Sequence, residues 1–189
     1  MSFERLWAPW RLEYVSGSES DSGPQPDPVE WFAGANRVCF LCRAAADYGE
    51  AADVDRRLLV ADRGAQTQVV LNRYPYNNGH VLVAPRRHVG ELSDMTHEEH
   101  IECMKQLGRL TRVYRELLHA EGFNVGLNLG RVAGAGLPGH LHWHLVPRWN
   151  GDNNFMGVLA GTRVIPQSLD ALWELLHGAL DQHSAGNHG

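Results

Sequence analysis

No stretch of the chain approaches the ~18 consecutive apolar residues that a membrane-spanning helix needs. The opening residues, Met1-Ser2-Phe3-Glu4-Arg5, lack the apolar core and small-residue cleavage site of a secretory signal. Cysteine is scarce: three among 189 residues, an odd number that supports no disulfide scaffold and fits a reducing cytoplasm. Excess positive charge is missing too. Lys and Arg number 17 against 22 Asp and Glu, a formal net charge of -5. That excludes the broad basic field of a DNA- or RNA-binding protein while allowing a local pocket for a small nucleotide. There is no internal repeat. What remains is ordinary globular composition, 43% hydrophobic and 21% charged, at a length that suits one domain and excludes disordered and fibrous classes.

The most informative stretch is Gly134-Ala135-Gly136-Leu137-Pro138-Gly139-His140-Leu141-His142-Trp143-His144-Leu145-Val146-Pro147-Arg148-Trp149. Three histidines alternate with apolar residues. In a β-strand that spacing sends all three imidazoles to one face, about 6.6 Å apart, with the apolar side chains packed behind. One phosphate group can touch two neighbours in such a row. The alternative is a half-buried strand whose polar face happens to be histidine, and three in register by chance is improbable. The glycines before the row leave backbone N–H groups able to approach an anion closely. Together they describe a phosphate site with a nucleophile in it.

The segment 140–149 resembles the signature of the histidine triad (HIT) family, in which histidines alternate with hydrophobic residues. The likeness continues through Asn72-Arg73-Tyr74-Pro75-Tyr76-Asn77-Asn78-Gly79-His80-Val81-Leu82-Val83-Ala84-Pro85 and Phe123-Asn124-Val125-Gly126-Leu127-Asn128-Leu129-Gly130. It covers roughly residues 57–149, about half the chain. These two segments look most like the bacterial branch related to diadenosine tetraphosphate phosphorylases. The resemblance implies an α+β fold, an antiparallel sheet flanked by helices, and a homodimer. It also implies attack of the middle histidine, here His142, on the α-phosphate of a nucleotide.

In chain order, residues 6–15 carry Trp7, Trp10 and Tyr14, an aromatic arm expected to pack on its own domain or a second subunit rather than stack on a ligand. Residues 16–28 hold no hydrophobic residue and read as a flexible loop, so residues 1–35 form an arm and loop ahead of a domain over 36–182. Cys39-Phe40-Leu41-Cys42 has the spacing of half a zinc site. Packed reduced thiols are the alternative, and a redox dithiol a more distant one. The resemblance supplies the missing ligands of a structural zinc site: His88, after the Pro-basic-basic turn, and His140. Strands are expected at 58–61, 66–71 and 79–85, the first two joined by the Asp62-Arg63-Gly64-Ala65 turn. The loop from Asn72 to Asn78 then lies at the rim of the site. By resemblance Asn72 holds the ribose hydroxyls, while His80 is either a satisfied buried histidine or support behind the reacting groups.

Thr96-His97-Glu98-Glu99 has capping-box form, and Ile101, Met104, Leu107, Leu110, Val113, Tyr114, Leu117 and Leu118 recur at helical spacing. They predict a core-facing helix with Cys103 packed inside it and His97, His100 and His119 exposed. A strand follows at 123–129, a short strand is expected at 155–160, and a last helix runs through Leu169, Leu172, Trp173, Leu176 and Leu180. Residues 183–189 form a flexible tail.

A neutral imidazole is a competent nucleophile toward phosphorus near pH 7. For its Nε2 to stay available, the Nδ1 of His142 should donate to a carbonyl. His144 then binds the phosphate or helps protonate the leaving group, and a zinc-bound His140 braces the strand. Asn128 is placed by resemblance near the reacting phosphate, with Gly136, Gly139 and Arg148 as further phosphate donors and an ordinary salt bridge as the alternative for Arg148. Relatives usually carry Ser, Thr or Gln just before the triad. Leu137-Pro138-Gly139 offers no hydroxyl, so backbone N–H groups have more to do, and Pro138 has none. Dinucleoside polyphosphate cleavage by phosphate or water is the expected reaction. A purine nucleoside phosphoramidase is the enzymatic alternative, and a nucleotide-binding regulatory module without turnover is the alternative of another class. Uridylyltransferases, with a glutamine in place of His144 and a longer chain, are set aside.

Overall fold

The computed structural model describes residues 27–49, 53–152 and 167–185. The aromatic arm at 6–15, the Ser/Gly/Pro stretch up to residue 26 and the strand expected at 155–160 lie outside the described residues. Within them the order is α1 (Phe40–Ala45), α2 (Val54–Leu58), β1 (Val60–Arg63), β2 (Thr67–Leu71), β3 (Val81–Pro85), α3 (His97–Leu118), β4 (Gly122–Leu127), β5 (Trp143–Arg148) and α4 (Leu169–Ala185). Short 3-10 turns occur at Leu92–Asp94 and Arg131–Ala133.

The five strands form one antiparallel sheet in the order β1-β2-β3-β5-β4. It is the α+β architecture expected from the sequence. Runs of Val and Leu fill β2 and β3, both buried along their length, as central strands covered on two faces must be. Register matters most at β5. His144 stands opposite Leu82 of β3 and Gly126 of β4, while Leu145 stands opposite Val81 and Val125. Direct partners share a face, so His144 lies on the opposite side of β5 from fully buried Leu145.

Helix α3 starts where its capping box requires. The Glu99 N–H donates to Thr96 Oγ1 at 3.2 Å, and the Thr96 N–H donates to Glu99 Oε2 at 2.8 Å. It ends at His119, whose φ of 52° is left-handed. Leu107, Leu110, Val113, Tyr114 and Cys103 enter the core. Ile101 and Met104 do not. They are 40% and 50% exposed, because the buried stripe passes through Glu99, Cys103 and Gln106 rather than along the most apolar line. His100 is likewise not free, its Nε2 lying 3.1 Å from the Leu92 carbonyl.

The last helix, α4, presents Leu172, Leu176 and Leu180 to the same core. Trp173 donates its indole N–H to the Val60 carbonyl at 2.7 Å, which pins α4 against β1. The helix runs on through Ala185, past the point at which the sequence placed a tail. The chain from residue 27 is already tied to the fold, since the Val29 N–H donates to the Asp47 carbonyl at 2.8 Å and Trp31 packs against the core.

Candidate active site

Strand β5 begins at Trp143, not at His140. The three histidines therefore do not form one row along a strand, and each ring has its own surroundings. His140 is fully buried, with Nε2 2.8 Å from the Pro85 carbonyl. A carbonyl only accepts, so Nε2 carries the proton and Nδ1 keeps its lone pair. That Nδ1 lies 3.3 Å from Cys39 Sγ, 3.5 Å from Cys42 Sγ and 3.3 Å from His88 Nδ1. The four ligand atoms all lie within 4.8 Å of one another. Cys39 and Cys42 share a proton: the Cys39 thiol, and with it the Asn36 N–H, donates to Cys42 Sγ and holds it below the ordinary thiol range against the burial that would raise it. The same bond and burial push Cys39 up. Two sulfurs, the Nδ1 lone pair of His140 and a ring nitrogen of His88 converge there, a donor set that fits a tetrahedral divalent cation.

His142 is 3% exposed, and its Nδ1 lies 2.8 Å from the His140 carbonyl oxygen. By the same reasoning Nδ1 holds the proton, which leaves Nε2 as a lone pair on a ring that lines a pocket. Burial, with His140 adding to it, lowers its pKa below the ordinary histidine value against the opposing pull of the His140 carbonyl. The ring is therefore neutral near pH 7. His144 stands next to it, ring centroids 5.0 Å apart.

His144 is oriented from behind. His80, 1% exposed, accepts the Tyr76 N–H at Nδ1 at 3.0 Å and has the Asn72 amide nitrogen 3.2 Å from the same atom. With Nδ1 occupied as an acceptor, Nε2 carries the proton and donates it to His144 Nδ1 at 3.0 Å. The proton of neutral His144 is then on Nε2. The two rings present opposite chemistry: a lone pair on His142 and a donor on His144.

The pocket is lined by Asn72, Tyr74, Tyr76, Leu82, Gly134, Gly136, His142 and His144. Of the residues chosen from the sequence, it gathers His142, His144, Asn72 and Gly136. The amide of Asn72 also serves its own loop, since Oδ1 accepts the Tyr74 N–H at 2.9 Å. Gly139 lies beside the thiol-imidazole cluster instead, where an added Cβ would stand 3.3 Å from His88 Nε2. Arg148 is held away from the pocket by Asp152, at 2.8 Å from Nη2 to Oδ1, and by Asn124 Oδ1 at 2.8 Å. It therefore takes the salt-bridge alternative. Asn128 follows the end of β4 and is not among the lining residues. Tyr74 and Tyr76 belong to the Asn72–Asn78 loop that the sequence placed at the rim, and Gly134 to the glycine run before the histidines, whereas Leu82 was not singled out. Leu82 lies two residues beyond His80, and the alternation of β3 would have found it.

Residues 60–151 match the family model described as HIT domain. The AP-4-A phosphorylase of Mycobacterium tuberculosis is 39% identical over 168 residues, which cover 88% of this chain and 78% of that protein. The asymmetrical bis(5'-nucleosyl)-tetraphosphatase of Schizosaccharomyces pombe is 34% identical over 82 residues, 43% of this chain and 44% of that one. A crystal structure of a Zn-bound histidine triad family protein from Mycobacterium smegmatis superposes with a TM-score of 0.56 at 31% identity, covering 68% of this chain and 88% of the other.

Proposed function

This chain belongs to the HIT family, and from that premise we propose that it is an enzyme that cleaves dinucleoside polyphosphates through a nucleotidyl-histidine intermediate, in the manner of a diadenosine tetraphosphate phosphorylase. The observation that carries this is the Nδ1 of His142 bonded to the His140 carbonyl, which leaves a neutral Nε2 facing a pocket beside a donor histidine. Nε2 of His142 forms a bond to the α-phosphorus while the bond from phosphorus to the leaving polyphosphate oxygen breaks. That leaving oxygen belongs to an acidic phosphate and needs a hydrogen bond rather than a full proton. The Nε2–H of His144 supplies one to the transferring or departing phosphate. Inorganic phosphate then attacks the phosphorus, giving a nucleoside diphosphate and restoring His142. Water in its place gives the monophosphate.

The ribose is assigned to Asn72, and the phosphate oxygens to backbone N–H groups around Gly134 and Gly136. Gly134 has a φ of +87°, open to glycine and strained for other residues. Cys39, Cys42, His88 and His140 would hold a zinc ion, which when bound supplies a cross-link between chain segments far apart in sequence. The Mycobacterium smegmatis relative with zinc bound supports that choice of metal. A homodimer and a cytoplasmic location complete the proposal. The first is supported by β4, an edge strand with Val125 49% exposed. The second is supported by free thiols, and no described helix is long and apolar enough to cross a membrane.

The test is incubation with diadenosine tetraphosphate, with and without inorganic phosphate, followed by trapping of adenylylated protein. ADP formed only with phosphate, a labelled wild type and an unlabelled, inactive His142→Ala variant are the expected results. AMP and ATP without phosphate would make the chain a hydrolase with the same nucleophile. Turnover by His142→Ala would overturn the mechanism.

A further inference from the structure

Resting on the assignment of His142 and His144 above, we propose that Tyr76 is a positioning residue: it clamps His80, and through His80 fixes which nitrogen of His144 presents a proton to the pocket. Two contacts come from this one residue. Its ring stacks on His80, centroids 4.8 Å apart and planes 16° from parallel, and its backbone N–H donates to His80 Nδ1 at 3.0 Å. The stacked face holds the imidazole in the plane in which the N–H meets Nδ1 in line, so the ring and the N–H fix its orientation and tautomer only together. His80 in turn meets His144 at a tilt, the rings 5.1 Å apart and 49° from parallel, with the 3.0 Å bond between them.

The torsion that spins an imidazole about its bond to Cβ has a broad, roughly two-fold profile, so packing must choose between its two faces. A half-turn of His80 would place a ring carbon where Nε2 now donates, and His144 Nδ1 would lose its donor. The proton of His144 could then reside on Nδ1, which would turn Nε2 into a lone pair facing the phosphate oxygens. An attractive contact would become a repulsive one. The Tyr76 ring itself also lines the pocket, 6.0 Å from that of His144. A role in touching substrate and a role in orienting His80 must therefore be told apart by measurement.

The experiment compares wild type with Tyr76→Phe, which keeps both contacts, and Tyr76→Leu, which keeps only the N–H; Tyr76→Met replaces the latter should it fail to fold. Two-bond proton-nitrogen spectra of the substrate-free protein report which ring nitrogens carry protons. The proton of His144 should be on Nε2 in wild type and Tyr76→Phe, and divided between the two nitrogens in Tyr76→Leu. Diadenosine tetraphosphate turnover should show kcat lowered about tenfold in Tyr76→Leu, with KM within about a factor of two, and recovered in Tyr76→Phe. An unchanged His144 pattern in Tyr76→Leu, or a raised KM with kcat intact, would overturn the inference. The spectra need no substrate, so they decide the role of Tyr76 even if His142→Ala shows the reaction itself to be misassigned.

Discussion

Glu99 is the acidic group whose removal tests the frame around the metal-ligand cluster most directly. It is 2% exposed, and its carboxylate accepts from Arg87 Nε at 3.0 Å, from Arg87 Nη2 at 2.9 Å and from the Thr96 N–H at 2.8 Å. Arg87 precedes His88, so one carboxylate ties the start of α3 to the turn that delivers one member of the thiol-imidazole cluster. In Glu99→Ala the capping half is worth about 1 kcal/mol. The charge-assisted bonds are worth about 1.5–3 kcal/mol before discounting, and because the Arg87 side chain is 36% exposed, water recovers part of that. The sum is about 2–3 kcal/mol, or roughly 5–10 °C in Tm for a chain of this size. Glu99→Gln keeps an acceptor and should lose about 1 kcal/mol.

The pH dependence separates charge from packing. Burial alone would raise the Glu99 pKa, but the Arg87 bonds and the Thr96 N–H outweigh it and the net shift is downward. A depressed carboxylate stabilises the fold above its unfolded pKa, and that contribution is lost as pH falls through the folded value. The gap between wild type and Glu99→Gln, read by urea unfolding, should thus be full at pH 7 and close progressively below about pH 4. A gap that is absent at pH 7, or that persists undiminished in acid, would refute the reasoning.

Three further outcomes follow from other contacts. The pKa of His142 is lowered, chiefly by burial, so kcat/KM for free enzyme should stay flat from pH 8 down to about 6.5 and fall only below it. Since unfolded His142 takes up a proton first, stability should also decline as pH drops below about 6.5; an acid limb centred above 7 would contradict the assignment. Chelation should release one zinc per chain by elemental analysis and lower Tm, with a loss of about 2.7 kcal/mol where free metal had stood at a hundredfold its Kd. No metal and no shift would leave the four ligands as packed side chains. In Gly64→Ala the new Cβ would lie 2.1 Å from Glu102 Oε1, the acceptor for the Gln66 N–H, the Thr67 N–H and Thr67 Oγ1 at 3.0, 2.9 and 2.7 Å. Displacing it should cost about 1–3 kcal/mol in denaturant titration, and Glu102→Ala should cost a similar amount.

Sheet and helices were legible because their signals are local. The Val and Leu runs of β2 and β3, the capping box at Thr96 and the stripe from Leu107 to Tyr114 each announce an element within a few residues. The thiol pair at Cys39 and Cys42 was legible as half a site. Its completion was not a matter of spacing, since His88 and His140 lie far along the chain and are gathered only when β3 and the loop before β5 come together. For Arg148 the sequence left a phosphate donor and a salt bridge open, because it shows a charge without its partner, and the structure pairs it with Asp152 four residues on. The sequence placed Tyr76 in the rim loop but gave it no role of its own. Its importance resides in a ring stacked on His80 and in a backbone N–H, and every residue except proline brings the latter.

The alternation of histidines is the place where a local rule drew attention to three residues whose geometry then differed from a single strand. A strand would have made three equivalent rings on one face. Beginning β5 at Trp143 instead lets the chain before it bend, and three identical side chains acquire three protonation patterns from their neighbours. Pro85 takes the Nε2 proton of His140 and turns its Nδ1 to the thiols. The His140 carbonyl accepts a hydrogen bond from the Nδ1–H of His142, and the Nε2–H of His80 donates one to Nδ1 of His144. One residue, His140, thereby serves twice: its ring belongs to the thiol-imidazole cluster and its carbonyl fixes the tautomer of His142. Loss of metal should accordingly disturb His142 as well as stability. Substitution of His140 cannot mimic that loss cleanly, because any residue there still offers the carbonyl, and only the position of that carbonyl changes.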